Sequence, residues 1–244
     1  MHTHFTVVDL ETTGLDPKRD KIIEIGAIQV VNNEITGTFH TLINPGRKLP
    51  DKVKELTGIR DEDLENAPFI DRAIEDFLDF VDGEYLLGHH IIFDFSFLKR
   101  AAVNAGYTFE RAGIDTLKIA RTFLQDLESR SLPALCSHFQ IEHAPHRAFQ
   151  DVEATYALYR KLAELYFHKN PAVFQPVKLV YQVKKEGPVT KKQLEQIHRI
   201  LLHHHLTEQY DNPGSPDYMD FGKMTKNEAS RFIDRMILRH GRCL

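Results

Sequence analysis

The chain has 244 residues, 42% of them hydrophobic and 27% charged, with a formal net charge of −4; this suffices for one substantial domain and a small second one, and no apolar run approaches a membrane span. The overall charge argues against a generic nucleic-acid coat protein but is unevenly divided: residues 1–168 hold 18 Lys+Arg against 27 Asp+Glu, and residues 169–244 hold 13 against 8. A basic tail on an acidic body suits a polyanion held by the tail and worked on by the body, and equally a merely solvated surface. Two cysteines, Cys136 and Cys243, exclude a disulfide framework or a Cys-rich metal site, and with no basic-then-apolar leader pattern the expected setting is the reducing cytoplasm.

The first predicted element is a strand over Phe5–Leu10 that carries Asp9 and Glu11. Side chains alternate along a strand, so both acids face one side while Val8 and Leu10 face the other. Such a pair is costly near a core unless protons or cations neutralise it, and a hard divalent cation is the economical solution. Alone, Asp-x-Glu is also what a strand end with solvent-facing acids looks like. After a turn at Gly14-Leu15-Asp16-Pro17, an Ile/Val-rich strand is expected over Lys21–Val31, and Asn32-Asn33 should turn the chain into a partner strand over Ile35–Ile43. Short helical segments follow within Asp51–Leu64, then a helix over Ile70–Val81 and a buried strand at Tyr85–Gly88.

A helix over Ile91–Ala105 brings a second anomaly: Asp94 lies in line with Phe97, Leu98, Ala101 and Ala105, on the apolar face. A strand at Ile114–Leu117 and helices at 117–124 and 132–139 lead to a long helix over Arg147–Phe167. There Asp151 aligns with Thr155, Leu158, Leu162 and Leu165, again on the apolar side. Buried carboxylates need partners, and four of them from three elements are poorly explained as separate accidents. An all-oxygen set without a His/Cys cluster favours Mg²⁺ or Mn²⁺ over zinc.

Three blocks of sequence resemble the DEDD exonucleases with a catalytic histidine, a family that includes the proofreading epsilon subunit of bacterial DNA polymerase III: Val7-Val8-Asp9-Leu10-Glu11-Thr12-Thr13-Gly14-Leu15, Gly88-His89-His90-Ile91-Ile92-Phe93-Asp94-Phe95-Ser96-Phe97-Leu98 and His146-Arg147-Ala148-Phe149-Gln150-Asp151-Val152-Glu153-Ala154-Thr155. Ile22–Ala27 and Leu56–Ile59 also resemble family stretches. The resemblance implies an α/β, RNase H-like fold, a mixed central sheet with helices on both faces, and 3′–5′ hydrolysis of phosphodiesters. Asp9, Glu11, Asp94 and Asp151 match the acids that hold two Mg²⁺ or Mn²⁺ ions, and His146 matches the general base, with His143 as a nearby alternative. Thr12, Thr13 and Leu15 match the pocket of the 3′-terminal nucleotide, Leu15 as a wedge against its base. One departure is His90, where the family's second block reads Gly-His-Asn. The implied partner is a nucleic acid 3′ end, single-stranded or frayed DNA first and RNA as the alternative, with a polymerase or other replication protein as a further expectation and no membrane. A rival of another class is a non-catalytic module that grips a nucleic-acid end or a polymerase; the full set of acids with His146 counts against it.

Residues 169–188 read as a linker with one extended piece at Val177–Val183. Thr190-Lys191-Lys192-Gln193 and Thr225-Lys226-Asn227-Glu228 are capping boxes opening two helices whose apolar stripes, Leu194/Ile197/Leu201 and Ala229/Phe232/Ile233/Met236/Ile237, can cover one another. The expected organisation is therefore an exonuclease domain over 1–168, the linker, and a small basic helical hairpin module over 189–244. His203-His204-His205 reads as a polar helix end, because successive helical side chains point about 100° apart and cannot converge on one ion.

Overall fold

Asn32 and Asn33 both adopt left-handed backbone (φ 52° and 68°), the conformation that a two-residue turn needs to match the twist of antiparallel strands. They join β2 (Ile22–Val31) to β3 (Glu34–Leu42), and β2 pairs antiparallel with β1 (His4–Thr12) along its whole length. The computed structural model describes residues 2–81, 85–143 and 147–242. Beyond β3 come α1 (Asp51–Thr57), α2 (Asp61–Leu64), α3 (Ile70–Phe80), β4 (Tyr85–Gly88), α4 (Ile92–Ala105), β5 (Ala112–Asp115), α5 (Thr116–Phe123), α6 (Leu132–Phe139) and α7 (Ala148–Tyr166). A short strand β6 (Val177–Lys178) and the helices α8 (Lys191–His203), α9 (Thr207–Tyr210) and α10 (Lys226–His240) complete the chain.

Among the described residues the sheet has six strands in the order β3-β2-β1-β4-β5-β6; the β1–β4 and β4–β5 pairings are parallel and the other three pairings antiparallel. The period-two pattern of β1 divides the core. Phe5 and Val7, with Ile28 and Val30 opposite, pack under Leu135 of α6 and Val152, Leu158 and Tyr159 of α7. Val8 and Leu10 join Ile25 and Ala27 under Ile74 and Phe77 of α3 and Phe95 and Leu98 of α4. Helices thus cover both faces of a mixed sheet, the RNase H-like architecture expected. β4 reaches β1 only at Thr6 and Val7, so the end of β1 runs on beyond its inner neighbour, with the side chains of Asp9 and Glu11 on the α7 side. β5 falls two residues earlier than expected, because Asp115, its last residue and paired with Gly88, caps α5 with its side chain, which accepts the Leu117 N–H and starts the helix at Thr116.

The segment expected to be a linker is held on the body over part of its length. A 3-10 turn at Pro171–Phe174 places Phe174 at 0% exposure beside Tyr159 and Phe167, and β6 extends the sheet edge at β5. The regular strand stops at Lys178; Leu179, its N–H donating to Arg111 O, buries its side chain against Gly113.

In the C-terminal module Thr190 and Thr225 both close their capping boxes, and α8 and α10 share a core of Ile197, Leu201, Phe221, Phe232 and Met236. The module docks on the body: Asp220 N–H donates to Gly46 O at 2.7 Å and Lys21 pairs with Glu228 at 2.6 Å, and just before the module Arg100 pairs with Glu186 at 2.6 Å.

Candidate active site

Asp9 and Glu11 leave β1 toward α7, whose first turn carries Asp151 on its inner side. One carboxylate oxygen from each of the three lies within 4.8 Å of the others. Asp94 arrives from the opposite face: it sits in the first turn of α4, is 3% exposed, and accepts the Leu10 N–H at 3.1 Å. That donor is free because β4 has stopped short, so the truncated pairing of β1 fixes the fourth acid beside the other three.

The electrostatics follow from this crowding. Asp9 is pushed well above the usual carboxylate range, first by burial, then by Asp94, Asp151, Glu11 and Glu24. Glu11 is pushed up to about 8, first by burial and then by Asp151 and Glu24, with Arg147 opposing. Burial raises Asp94 in the same direction, against the hydrogen bonds it accepts. A set of oxygen donors that cannot all ionise unaided fits a hard divalent cation.

Around the acids stands a bracing set. Glu24, on β2 opposite Glu11 and 0% exposed, accepts the Arg147 guanidinium at 3.1 and 3.2 Å, bonds His40 Nε2 at 2.6 Å and accepts the Ala148 N–H at 3.1 Å. It ties β3, β2 and the start of α7 together, with its charge at the helix N-terminus, where negative charge is favoured. Gly26 lets the two elements approach: a Cβ there would stand 2.5 Å from the Ala148 carbonyl carbon. In the second block, His89 bonds Thr116 Oγ1 at 2.9 Å and Arg130 O at 3.0 Å, a purely internal role. His90 has φ 69°, a left-handed position that asparagine and histidine tolerate better than most residues, which accounts for the exchange at that position.

His146, the expected general base, lies outside the described residues, as does Cys243. His143, the alternative base, is inside them: its Nε2 contacts Asp151 Oδ1, with both side chains buried. Of the expected nucleotide contacts, Thr12 Oγ1 donates to Gly14 O at 2.7 Å, and Thr13 Oγ1 accepts from Arg47 Nη2 at 2.7 Å and from Lys21 N at 3.0 Å. Both hydroxyls shape the turn after β1. Leu15 stands 84% exposed at its tip. Glu24, His40, Arg147 and Arg47 were not among the expected site residues. The one sequence signal for Glu24 was its place within the family-like stretch Ile22–Ala27; its position opposite Glu11 shows only in the strand register.

A family model described as exonuclease, of the RNase T type, matches residues 6–159, and divalent-metal dependence, a property of that family, agrees with the acidic cluster. The chain is 34% identical over 166 residues to the DNA polymerase III epsilon subunit of Aquifex aeolicus, covering 67% of this chain and 82% of that protein. It is 38% identical over 161 residues to a PolC-type DNA polymerase III of Caldanaerobacter subterraneus, covering 66% of this chain and 12% of that much longer one. Among solved structures it is similar to exonuclease X in complex with 5′ overhanging duplex DNA (TM-score 0.52, 23% identity, 66% of this chain and 92% of that one). It is also similar to a zinc-bound E. coli exonuclease I complex with single-stranded DNA (TM-score 0.62, 20% identity, 71% and 42%); both show the fold. With residues 6–159 matched and the acids converging at the end of β1, the chain belongs to the exonuclease family.

Proposed function

We propose that the chain is a metal-dependent 3′–5′ exonuclease of the catalytic-histidine type that acts on single-stranded or frayed DNA ends in proofreading or repair. The observation that carries this reading is the convergence of Asp9, Glu11 and Asp151 within 4.8 Å, with Asp94 beside them. These four residues would hold two Mg²⁺ or Mn²⁺ ions. Bound there, the ions supply charge neutralisation at the attacking and leaving oxygens of an in-line displacement.

The chain's own groups do the rest. Leu10 N–H fixes Asp94, and Glu24 holds the start of α7 and with it Asp151. His146 takes the proton of the attacking water, a task for which an imidazole is suited near neutral pH. Leu15 packs on the terminal base, and the backbone at Thr12 and Thr13 holds the terminal sugar. The proposed division of labour is hydrolysis by residues 1–168, connection by 169–188 and substrate or partner contact by the basic module 189–244. A polymerase or other replication protein in the cytoplasm is the proposed partner. Among the described residues no helix is long and apolar enough to cross a membrane.

The test is degradation of matched 5′-labelled single-stranded DNA and RNA with Mg²⁺ or Mn²⁺, beside EDTA and Asp9→Ala controls. A ladder shortening from the 3′ end, faster on DNA and abolished by both controls, is expected. Faster cleavage of RNA would make the protein an exoribonuclease, and no cleavage of either by folded protein would overturn the enzymatic reading.

A further inference from the structure

The turn after β1 does not end in solvent. Arg47 donates to Thr13 Oγ1 at 2.7 Å, and Arg47 is also the inner wall of a cleft of ≈ 330 Å³ between the body and α10. Six cationic side chains line that cleft, Arg19, Lys21, Arg47, Lys223, Arg231 and Arg235, against the three acids Asp20, Asp220 and Glu228. Those acids are already engaged. Glu228 pairs with Lys21 at 2.6 Å and accepts the Thr225 N–H, Asp20 accepts the Asp16 N–H and lies 3.6 Å from Arg47, and Asp220 accepts the Gly222 N–H.

Arg231 and Arg235 are exposed, one helical turn apart on α10, and among the described residues neither has an ion pair with a carboxylate. Arg231 Nη2 donates to Lys18 O at 3.1 Å, and Arg235 stacks over Phe232. Like charges at this spacing repel, and burial holds Arg47 below the usual arginine range against the opposing pull of Asp20 and Glu228, with Arg235 adding a smaller push in the same direction as burial. Arg231 also lines a second cleft, of ≈ 780 Å³, with Lys18, Lys178 and Lys184. The two clefts share Arg231, so the positive surface runs as a track from Arg47, beside the buried Thr13, across Arg231 to Lys184.

We propose that this track, formed only because the C-terminal module docks on the body, holds the phosphodiester backbone of the strand being degraded, upstream of its 3′ end. Two extended residues span at most roughly 7 Å, so Thr13 and the Arg47 guanidinium bonded to it lie close to Glu11, and the track begins within reach of the acidic site. Guanidinium forks match phosphate oxygens in pairs. The inference rests on the exonuclease reading for the direction of the strand, and not for the binding itself.

The test uses the full chain and the double variant Arg231→Ala/Arg235→Ala. In EDTA, where nothing is cleaved, fluorescence anisotropy with a 5′-labelled dT20 probe gives Kd as a function of salt. Loss of two phosphate contacts is expected to weaken binding about tenfold and to lower the slope of log Kd against log salt by roughly 1.4. In Mn²⁺, the ratio of kcat/KM for the 20-mer to that for the p-nitrophenyl ester of thymidine 5′-monophosphate, which is too short to reach the track, is expected to fall by a similar factor. An unchanged Kd and salt slope overturns the track. Wild-type protein that binds dT20 through these arginines but cleaves nothing keeps the track and overturns the exonuclease reading. Arg235→Gln, a milder change at an exposed site, is measured alongside by the same anisotropy assay, and binding equal to wild type in both variants also overturns the track.

Discussion

Glu11 shows what a single residue in this cluster experiences: burial first, then Asp151 and Glu24, push it up to about 8. A carboxyl whose pKa is higher in the folded than in the unfolded state binds more protons when folded. Stability of the metal-free protein is therefore expected to fall as pH rises from about 4.5 to about 8, and Mn²⁺ should restore it most at the upper end, because the ion binds the deprotonated acids. Melting curves near the two ends of that window, with and without Mn²⁺, check this; an ion effect that is larger at the acid end would contradict it. Asp9→Asn relieves the same repulsion, so without metal the variant should melt a few degrees higher than wild type at the upper end and, with metal, lose roughly a thousandfold in turnover. The acids were legible because a carboxylate on an apolar stripe is an anomaly in one dimension. Glu24, Arg47 and the contact of His143 with Asp151 were not, since each depends on a partner brought from another element.

At the scale of elements, the site is held by how α7 meets the sheet. Gly26 leaves 2.5 Å between a would-be Cβ and the Ala148 carbonyl carbon, so Gly26→Ala must move backbone. A destabilisation of roughly 1–3 kcal/mol in chemical denaturation is expected, with activity falling further than the lost stability alone would explain because Asp151 moves with α7; wild-type activity in that variant would show that α7 is positioned otherwise. The helical and strand periods placed α3, α4 and α7 within a residue or so of their observed ends, Ile70–Phe80, Ile92–Ala105 and Ala148–Tyr166. Within 169–188 no helical or strand period singles out Phe174 from Ala172-Val173-Phe174 or Leu179 from Leu179-Val180-Tyr181 as the residues to be buried; both find their place only once the sheet edge and α7 exist.

For the whole molecule, the acidic body and the basic tail meet across a seam of ion pairs and backbone bonds, and the charge asymmetry readable in the composition becomes a surface only through that docking. Phe232, 1% exposed against Tyr210 and Phe221, is central to the module; Phe232→Ala should cost roughly 3–5 kcal/mol there. Limited proteolysis is then expected to cut the module early and leave a fragment of body size. The most direct test of the metal centre is the number of Mn²⁺ ions bound, counted by electron paramagnetic resonance in wild-type and Asp9→Asn protein. Two ions per wild-type chain, and fewer in the variant, are expected; no specific Mn²⁺ on folded wild-type protein would contradict the assignment of the four acids.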